Sequence, residues 1–196
     1  MNSKNRNIHN YNKKIIKFWL NDNFNNITPK KIRYPEGWDV CERLNKLYGC
    51  EKVVEVGCGY GRLAPAFDPQ NYIGFDINTR CIESAVQLNP DYTFKPYKLG
   101  NDLPKSSLVL FYTVLLHVDD NDILPFLKIS TLNTNKVLIA EILGRHWRGW
   151  EYAFNREESD YQNLLNKCGF EQSSKLEFDY QYYENTKISF LLYEKQ

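Results

Sequence analysis

The chain has 196 residues and carries 25 basic and 24 acidic side chains, for a formal net charge of +1. This length suits one domain with a sizeable core, and the balanced charge argues against a large nucleic-acid interface. Five cysteines, an odd number without a C-x-x-C pair, indicate neither a disulfide framework nor a zinc site. No apolar stretch is long enough to span a bilayer, and the N-terminus lacks the apolar core of a signal peptide, so we expect a cytoplasmic protein.

Two amphipathic segments lie in the N-terminal quarter of the chain. Apolar residues at helical spacing predict helices over residues 11–20 and 38–48, the second ended by Gly49. We expect residues 1–49 to form a helical extension that covers a ligand site as a lid. Residues 50–196 are then predicted to form one compact domain.

The most informative segment is a strand that runs into three alternating glycines. A β-branched run at residues 52–56 predicts a buried strand, and Gly57, Gly59 and Gly61 follow it. Glycines let the backbone turn tightly and approach a ligand, because they lack a Cβ. The third glycine falls one residue too early for the dinucleotide pattern G-x-G-x-x-G. A helix is predicted next, over residues 62–67.

Strands and helices alternate through the rest of the chain. Strands are predicted at residues 72–75, 92–95, 107–113 and 136–142, and helices at residues 79–87, 121–131 and 157–168. Such alternation predicts an α/β fold with right-handed β-α-β units around a parallel sheet. Two further strand-like runs, 176–183 and 187–194, are separated by a turn signal and predict a terminal hairpin.

The glycine segment and the next strand carry a family resemblance. Glu55 with the three glycines, followed by a strand that ends in Asp76, resembles motifs I and II of the class I S-adenosylmethionine-dependent methyltransferases. The resemblance implies a Rossmann-like seven-stranded sheet with an antiparallel C-terminal hairpin and helices on both faces. It also implies S-adenosylmethionine (SAM) as cofactor and S-adenosylhomocysteine (SAH) as product.

The same resemblance implies which residues bind the cofactor. The loop would cradle the methionine part, Asp76 would hold the ribose, and Ile77 would pack on the adenine unless it belongs to the core. Asp102 is either an adenine contact or a surface turn acid, and Tyr112 either approaches the sulfonium or lies in the core. The cofactor-binding residues implied are Glu55, Gly57, Cys58, Gly59, Tyr60, Gly61, Asp76, Ile77, Asp102 and Tyr112.

His117 is the first candidate for catalysis. It lies at the end of the fourth strand, where some O-methyltransferases of the family carry a histidine as general base. A neutral imidazole can take the proton that an acceptor hydroxyl loses as the methyl bond forms. Asp119 or Asp120 would orient the ring, or would cap the following helix. The alternative is that His117 supports packing, and His146 is the rival base.

A loop after the fifth strand gathers cationic and aromatic side chains. Arg145, Trp147 and Arg148 lie there, and arginine forks bind carboxylates or phosphates. Tyr11 and Arg33 of the N-terminal extension are further candidates for contacts with the acceptor. Together these residues indicate an anionic, partly ring-shaped acceptor, and the alternative is a surface loop whose tryptophans pack against the sheet.

The function that follows is O-methylation of a small-molecule or glycan hydroxyl. Two alternatives stay open, namely N-methylation of a small amine and a non-catalytic SAM-binding accessory protein. The resembling families that methylate adenine or glutamine amides carry an Asn-Pro-Pro-Tyr or Asp-Pro-Pro-Tyr motif, and neither occurs at the end of the fourth strand here. We expect no nucleic-acid partner, and the sequence indicates no oligomeric state.

Overall fold

The computed structural model describes residues 11–21, 40–49, 51–144, 152–180 and 186–196. The α-helices in these ranges are α1 (Lys13–Asn21), α2 (Val40–Tyr48), α3 (Thr79–Leu88), α4 (Ile123–Ser130) and α5 (Glu158–Asn166). The strands are β1 (Val53–Val56), β2 (Tyr72–Asp76), β3 (Thr93–Pro96), β4 (Leu108–Tyr112), β5 (Lys136–Ile142), β6 (Phe170–Asp179) and β7 (Lys187–Lys195).

The seven strands form a single sheet in the order β3-β2-β1-β4-β5-β7-β6. Strands β1 to β5 pair in parallel, whereas β7 pairs antiparallel with β5 and with β6. The chain runs outward from β1 to β3 and then crosses back to β4, so β1 and β4 flank the switch point where ligands bind in open α/β sheets. The predicted fold class is confirmed.

Strand β4 lies inside the sheet and is buried on both faces. Leu108, Leu110 and Tyr112 pack in one core with α2 and α3, whereas Val109 and Phe111 pack in a second core with α4 and α5. A strand that is covered on both faces consists of a continuous run of apolar residues. The position of β4 could therefore be predicted from the sequence.

The helix predicted over residues 62–67 is wrong. A short 3₁₀ turn, Ala64–Ala66, forms in its place. Pro65 lies inside this segment, and its ring nitrogen cannot donate the hydrogen bond that an α-helix needs. The glycine segment therefore runs into a turn and not into a long helix.

The terminal hairpin is longer than the sequence pattern indicates. Strand β6 begins at Phe170, six positions before the predicted start, with a register shift between Gln172 and Ser174. Its first half is mostly polar and exposed, as suits an edge strand, so it carries little apolar signal. Within the described ranges, every helix falls short of the length and apolarity that crossing a membrane requires.

Candidate active site

A cavity of about 180 Å³ lies at the carboxyl ends of β1, β2 and β4. Its floor comes from the loops that follow these three strands, and its cover comes from α1 and the residues just before it. The loop residues that line it include Gly57, Gly59, Asp76, Ile77, Thr113 and Val114. This is the switch point of the sheet, where the loop after the first strand was predicted to hold a ligand.

The glycine loop turns sharply at the end of β1. Gly57, Gly59 and Gly61 all have positive φ angles, of 75°, 54° and 76°. A Cβ on Gly57 would lie 2.3 Å from Cγ2 of Val114. Because both the backbone angle and the space exclude a side chain at Gly57, the loop can present its backbone directly to the cavity.

The carboxylate of Asp76 ties the loop to the end of β2. Its Oδ2 accepts a hydrogen bond from the Gly59 amide at 2.9 Å, and its Oδ1 accepts one from the Asn78 amide at 2.8 Å. Burial raises the pKa of Asp76, although these backbone donors oppose the shift. Each oxygen keeps a second lone pair, so the carboxylate can still accept hydrogen bonds from a ligand in the cavity.

Glu55 lies beneath the loop and does not line the cavity. It is buried, and its carboxylate accepts a hydrogen bond from the hydroxyl of Tyr72. Burial raises the pKa of Glu55 to about 7. Glu55 was predicted to bind the cofactor, but its position fits support of the loop from below.

The other predicted cofactor residues divide between the cavity and its surroundings. Ile77 and Tyr112 line the cavity. The residues that do not line it are Cys58, Tyr60, Gly61 and Asp102. The side chain of Cys58 is buried, and Asp102 is exposed, so neither contacts the cavity.

Arg62 is a cavity residue that sequence reasoning missed. Its guanidinium lies over the ring of Tyr112, 4.8 Å from the centroid, and its Nη2 donates to Thr113 Oγ1 at 3.3 Å. Thr113 has a φ of 52°, a strained value for a residue with a β-branched side chain. One face of Tyr112 thus already carries a cation.

His117 lines the cavity beside α1. Its Nδ1 lies 3.1 Å from the carbonyl oxygen of Tyr152, which places the proton on Nδ1 and leaves Nε2 as the acceptor nitrogen. Its ring centroid is 4.5 Å from that of Trp19. Burial lowers the pKa of His117 to about 4.

The predicted partners of His117 act elsewhere. Asp119 caps the turn before α4 by accepting from the amides of Asn121 and Asp122, both at 3.0 Å. Asp120 pairs with Arg156 at 2.7 Å. The carbonyl of Tyr152 orients the imidazole, so the expectation that either acid does so is wrong.

Two buried ionisable residues, Glu141 and Arg156, hold the 3₁₀ turn Leu115–His117. Oε1 of Glu141 accepts from the amides of Val114 and Leu115 at 2.8 and 2.6 Å. Arg156 donates to the carbonyl oxygens of Leu115 and Val118 at 2.9 and 2.7 Å. The sequence could have indicated a special role for Glu141, because it is a glutamate inside the otherwise apolar run of β5. No local pattern in the sequence indicates a role for Arg156.

Helix α1 covers the cavity and is held at both ends. The backbone amide of Asn12 donates to Asp122 at 2.6 Å, and its side chain donates to Asp119 at 2.7 Å. At the other end, the side chain of Asn78 donates to the carbonyl oxygen of Trp19 at 2.8 Å. Tyr11 lines the cavity from this side, as its predicted role requires.

Five predicted residues lie outside the described ranges. They are His146, Arg33, Arg145, Trp147 and Arg148. Their roles stay predictions.

The strand order and the C-terminal hairpin define the class I SAM-dependent methyltransferase fold, which comparison with solved structures confirms. In its SAM-bound form, magnesium protoporphyrin IX methyltransferase from Synechocystis PCC 6803 is similar to this chain, with a TM-score of 0.64 and 19% identity. The match covers 80% of this chain and 76% of that chain.

Two other solved structures give the same result. A TehB-like SAM-dependent methyltransferase from Corynebacterium glutamicum ATCC 13032 has a TM-score of 0.61 and 17% identity, over 80% of this chain and 87% of that one. The mitomycin 7-O-methyltransferase MmcR has a TM-score of 0.60 and 17% identity, over 80% of this chain and 54% of that one. No protein-family model matches the chain, and no curated protein matches it by sequence.

Proposed function

We propose that this chain is a SAM-dependent methyltransferase. The observation that carries the proposal is the meeting of the glycine loop and Asp76 in one cavity at the switch point of the sheet. The remaining lone pairs of Asp76 suit the two hydroxyls of a ribose, and the backbone at Gly57 and Gly59 suits the methionine part. SAM bound there supplies a methyl group activated by a positively charged sulfur. A similar structure holds bound SAM, which supports the choice of cofactor.

The residues around the cavity contribute orientation and exclusion of water. Helix α1 closes the space above the loop, and the acceptor nitrogen of His117 can take a hydrogen bond from an acceptor hydroxyl. Holding an acceptor oxygen in line with the methyl carbon favours transfer strongly, because the entropy of alignment is already lost on binding. This arrangement supports O-methylation, as predicted from the sequence.

The acceptor is proposed to be a small molecule or a glycan with an anionic group. This rests on the residue types of Arg145, Trp147 and Arg148, together with those of Arg33 and Tyr11 in the N-terminal extension. The cavity itself is lined mainly by apolar side chains, which suits a ring. The odd cysteine count supports a cytoplasmic location.

N-methylation of a small amine is the second candidate. The observation in its favour is the low pKa of His117, about 4, which makes the ring a weak base. An amine that binds unprotonated needs little help from a base. A non-catalytic SAM-binding protein would keep the loop and Asp76 but would release no SAH.

The cofactor proposal is tested by calorimetry with SAM and SAH. Asp76→Asn replaces the carboxylate that faces the ribose site, and we expect it to weaken SAH binding by about 10- to 100-fold, since a hydrogen bond to a charged group is lost. Asp102→Asn, which alters an exposed acid outside the cavity, should leave binding unchanged. Failure of the folded wild-type chain to bind either ligand would overturn the proposal.

A further inference from the structure

The guanidinium of Arg62 is only partly satisfied by the protein. Its Nη2 donates to Thr113, but its Nη1 is buried and has no hydrogen-bond partner within the described ranges. A buried N–H group without an acceptor is costly, most of all when it carries charge. Because Arg62 lines the cavity, a ligand in that cavity is well placed to provide the missing acceptor.

The nearby acids do not provide that acceptor. Glu55 is close enough for the charge of Arg62 to oppose the rise in its pKa, but its carboxylate bonds to Tyr72. Asp76 accepts from the amides of Gly59 and Asn78, and within the described ranges no hydrogen bond or ion pair joins it to Arg62. The ring of Tyr112 stabilises the charge from one side without accepting an N–H hydrogen bond in the plane of the guanidinium.

The position of Arg62 selects one part of the cofactor. Arg62 reaches the end of β4 through Thr113, whereas Asp76 ends β2, and these strands flank β1 on opposite sides. Two strand spacings amount to about 10 Å. A ligand that binds Asp76 through its ribose must cross the glycine loop to reach Arg62. The amino-acid chain of SAM extends from the ribose through the sulfur.

The local backbone makes a side-chain cation more important here. A helix after the glycine loop would offer free amides and a positive dipole end to an anion. Residues 64–66 form only a three-residue 3₁₀ turn, and Pro65 in it has no N–H, so little of that positive field is available. A fixed guanidinium can replace it, and the planar fork of arginine matches a carboxylate.

We propose that Arg62 binds the carboxylate of the methionine part of the cofactor and so fixes the direction in which the cofactor lies across the glycine loop. The sulfonium and the ammonium of SAM are both positive, so the carboxylate is the only group of the amino-acid chain that a guanidinium attracts. This inference rests on the proposed function, since it assumes that SAM occupies the cavity.

The test compares SAH with 5′-methylthioadenosine, which keeps the adenosine and the sulfur but lacks the amino-acid carboxylate. Calorimetry is performed on the wild type, on Arg62→Met and Arg62→Lys, and on Lys95→Met as a control that removes an exposed cation. We expect Arg62→Met to weaken SAH binding by about 10- to 100-fold and to leave methylthioadenosine binding nearly unchanged. Arg62→Lys should lose less, and Lys95→Met should lose nothing.

Two results would overturn the inference while leaving the proposed function intact. One is unchanged SAH binding by Arg62→Met, and the other is an equal loss for both ligands, which would mean that Arg62 only supports the loop. Binding of neither ligand by the wild type would overturn the proposed function itself. If Arg62→Met does not fold, the wild type still tests the inference, because equal affinity for SAH and for the methyl ester of SAH would overturn it.

Discussion

The imidazole of His117 is held in one tautomer inside an apolar setting. Its Nδ1 proton points to the carbonyl of Tyr152, and burial keeps its pKa near 4. The ring is therefore neutral throughout the physiological range and can accept a hydrogen bond at Nε2 without a preceding loss of a proton. Such a ring aligns an acceptor hydroxyl better than it removes a proton from it.

Replacing the two candidate bases separates O- from N-methylation. For an O-methyltransferase that depends on a base, we expect His117→Ala combined with His146→Ala to lower kcat by about 100-fold or more. For an N-methyltransferase, activity should survive both changes. The readout is SAH formation at saturating SAM.

The pH profile of the same reaction provides a control. Because the pKa of His117 lies near 4, its protonation should not lower kcat between about pH 6 and about pH 8. A fall in kcat on the acid side of that range that disappears in His117→Ala would contradict the buried, neutral ring.

The residues predicted most securely from the sequence are those whose role depends on the local backbone. Gly57 and Asp76 belong to this group, because a positive φ and a strand end can be inferred from neighbours in the chain. Arg62 and Arg156 depend on contacts with β4 and with the turn after it, far away in sequence. Thr113 adopts a left-handed φ that its residue type does not indicate.

Helix α1 is the element on which closure of the cavity depends. Ile15 is the side chain of α1 that is buried, and Trp19 contacts the ring of His117; hydrogen bonds at the two ends of the helix add to these contacts. Asn12 provides two of them, to Asp119 and Asp122, and Asn78 provides the third. A short helix of this kind is unstable alone and depends on such tertiary contacts.

Asn12→Ala should loosen this helix. The change removes the side-chain bond to the carboxylate of Asp119 but keeps the backbone bond to Asp122, so amide exchange within Lys13–Asn21 should become about tenfold faster. Hydrogen-exchange mass spectrometry measures this directly. Asn21→Ala is the matched control, since within the described part of the chain its side-chain amide donates to the carbonyl of Lys17 in the same helix. Equal exchange in the wild type and Asn12→Ala would show that Asn12 does not hold α1.

Element boundaries show where sequence patterns lose information. The strands β1, β4 and β5 follow from their apolar runs, because both of their faces are buried. The first half of β6 is exposed, and its pairing with β7 depends on backbone bonds that leave no apolar pattern. The segment after Gly61 looked helical from its apolar residues, but Pro65 prevents the helix.

At the scale of the whole molecule, two buried glutamates link stability to pH. Burial raises the pKa of Glu55 to about 7 and that of Glu141 to about 8, from an ordinary value of 4.5. At pH values between 4.5 and these raised pKa values, the two glutamates keep their protons in the folded chain but have lost them in the unfolded chain. The stabilisation that the protonated acids contribute is complete below 4.5 and is lost as the pH rises through 7 and 8.

Glu141→Gln should reduce this dependence. The glutamine keeps an oxygen for the amides of Val114 and Leu115 but cannot ionise. We expect the free energy of unfolding to fall less steeply in the variant than in the wild type between about pH 5 and about pH 9, as measured by urea denaturation. Glu83→Gln changes an exposed glutamate on α3 and serves as the control. Parallel curves for the wild type and Glu141→Gln would exclude this role of Glu141.

The docked position of α1 has a kinetic consequence. Helix α1 lines the cavity that is proposed to hold the cofactor, so it would also cover a ligand bound there. We expect the product to leave by displacement of α1, which would break the bonds of Asn12 and Asn78 in each turnover. We therefore expect release of the product, and not methyl transfer, to set the rate for a good acceptor.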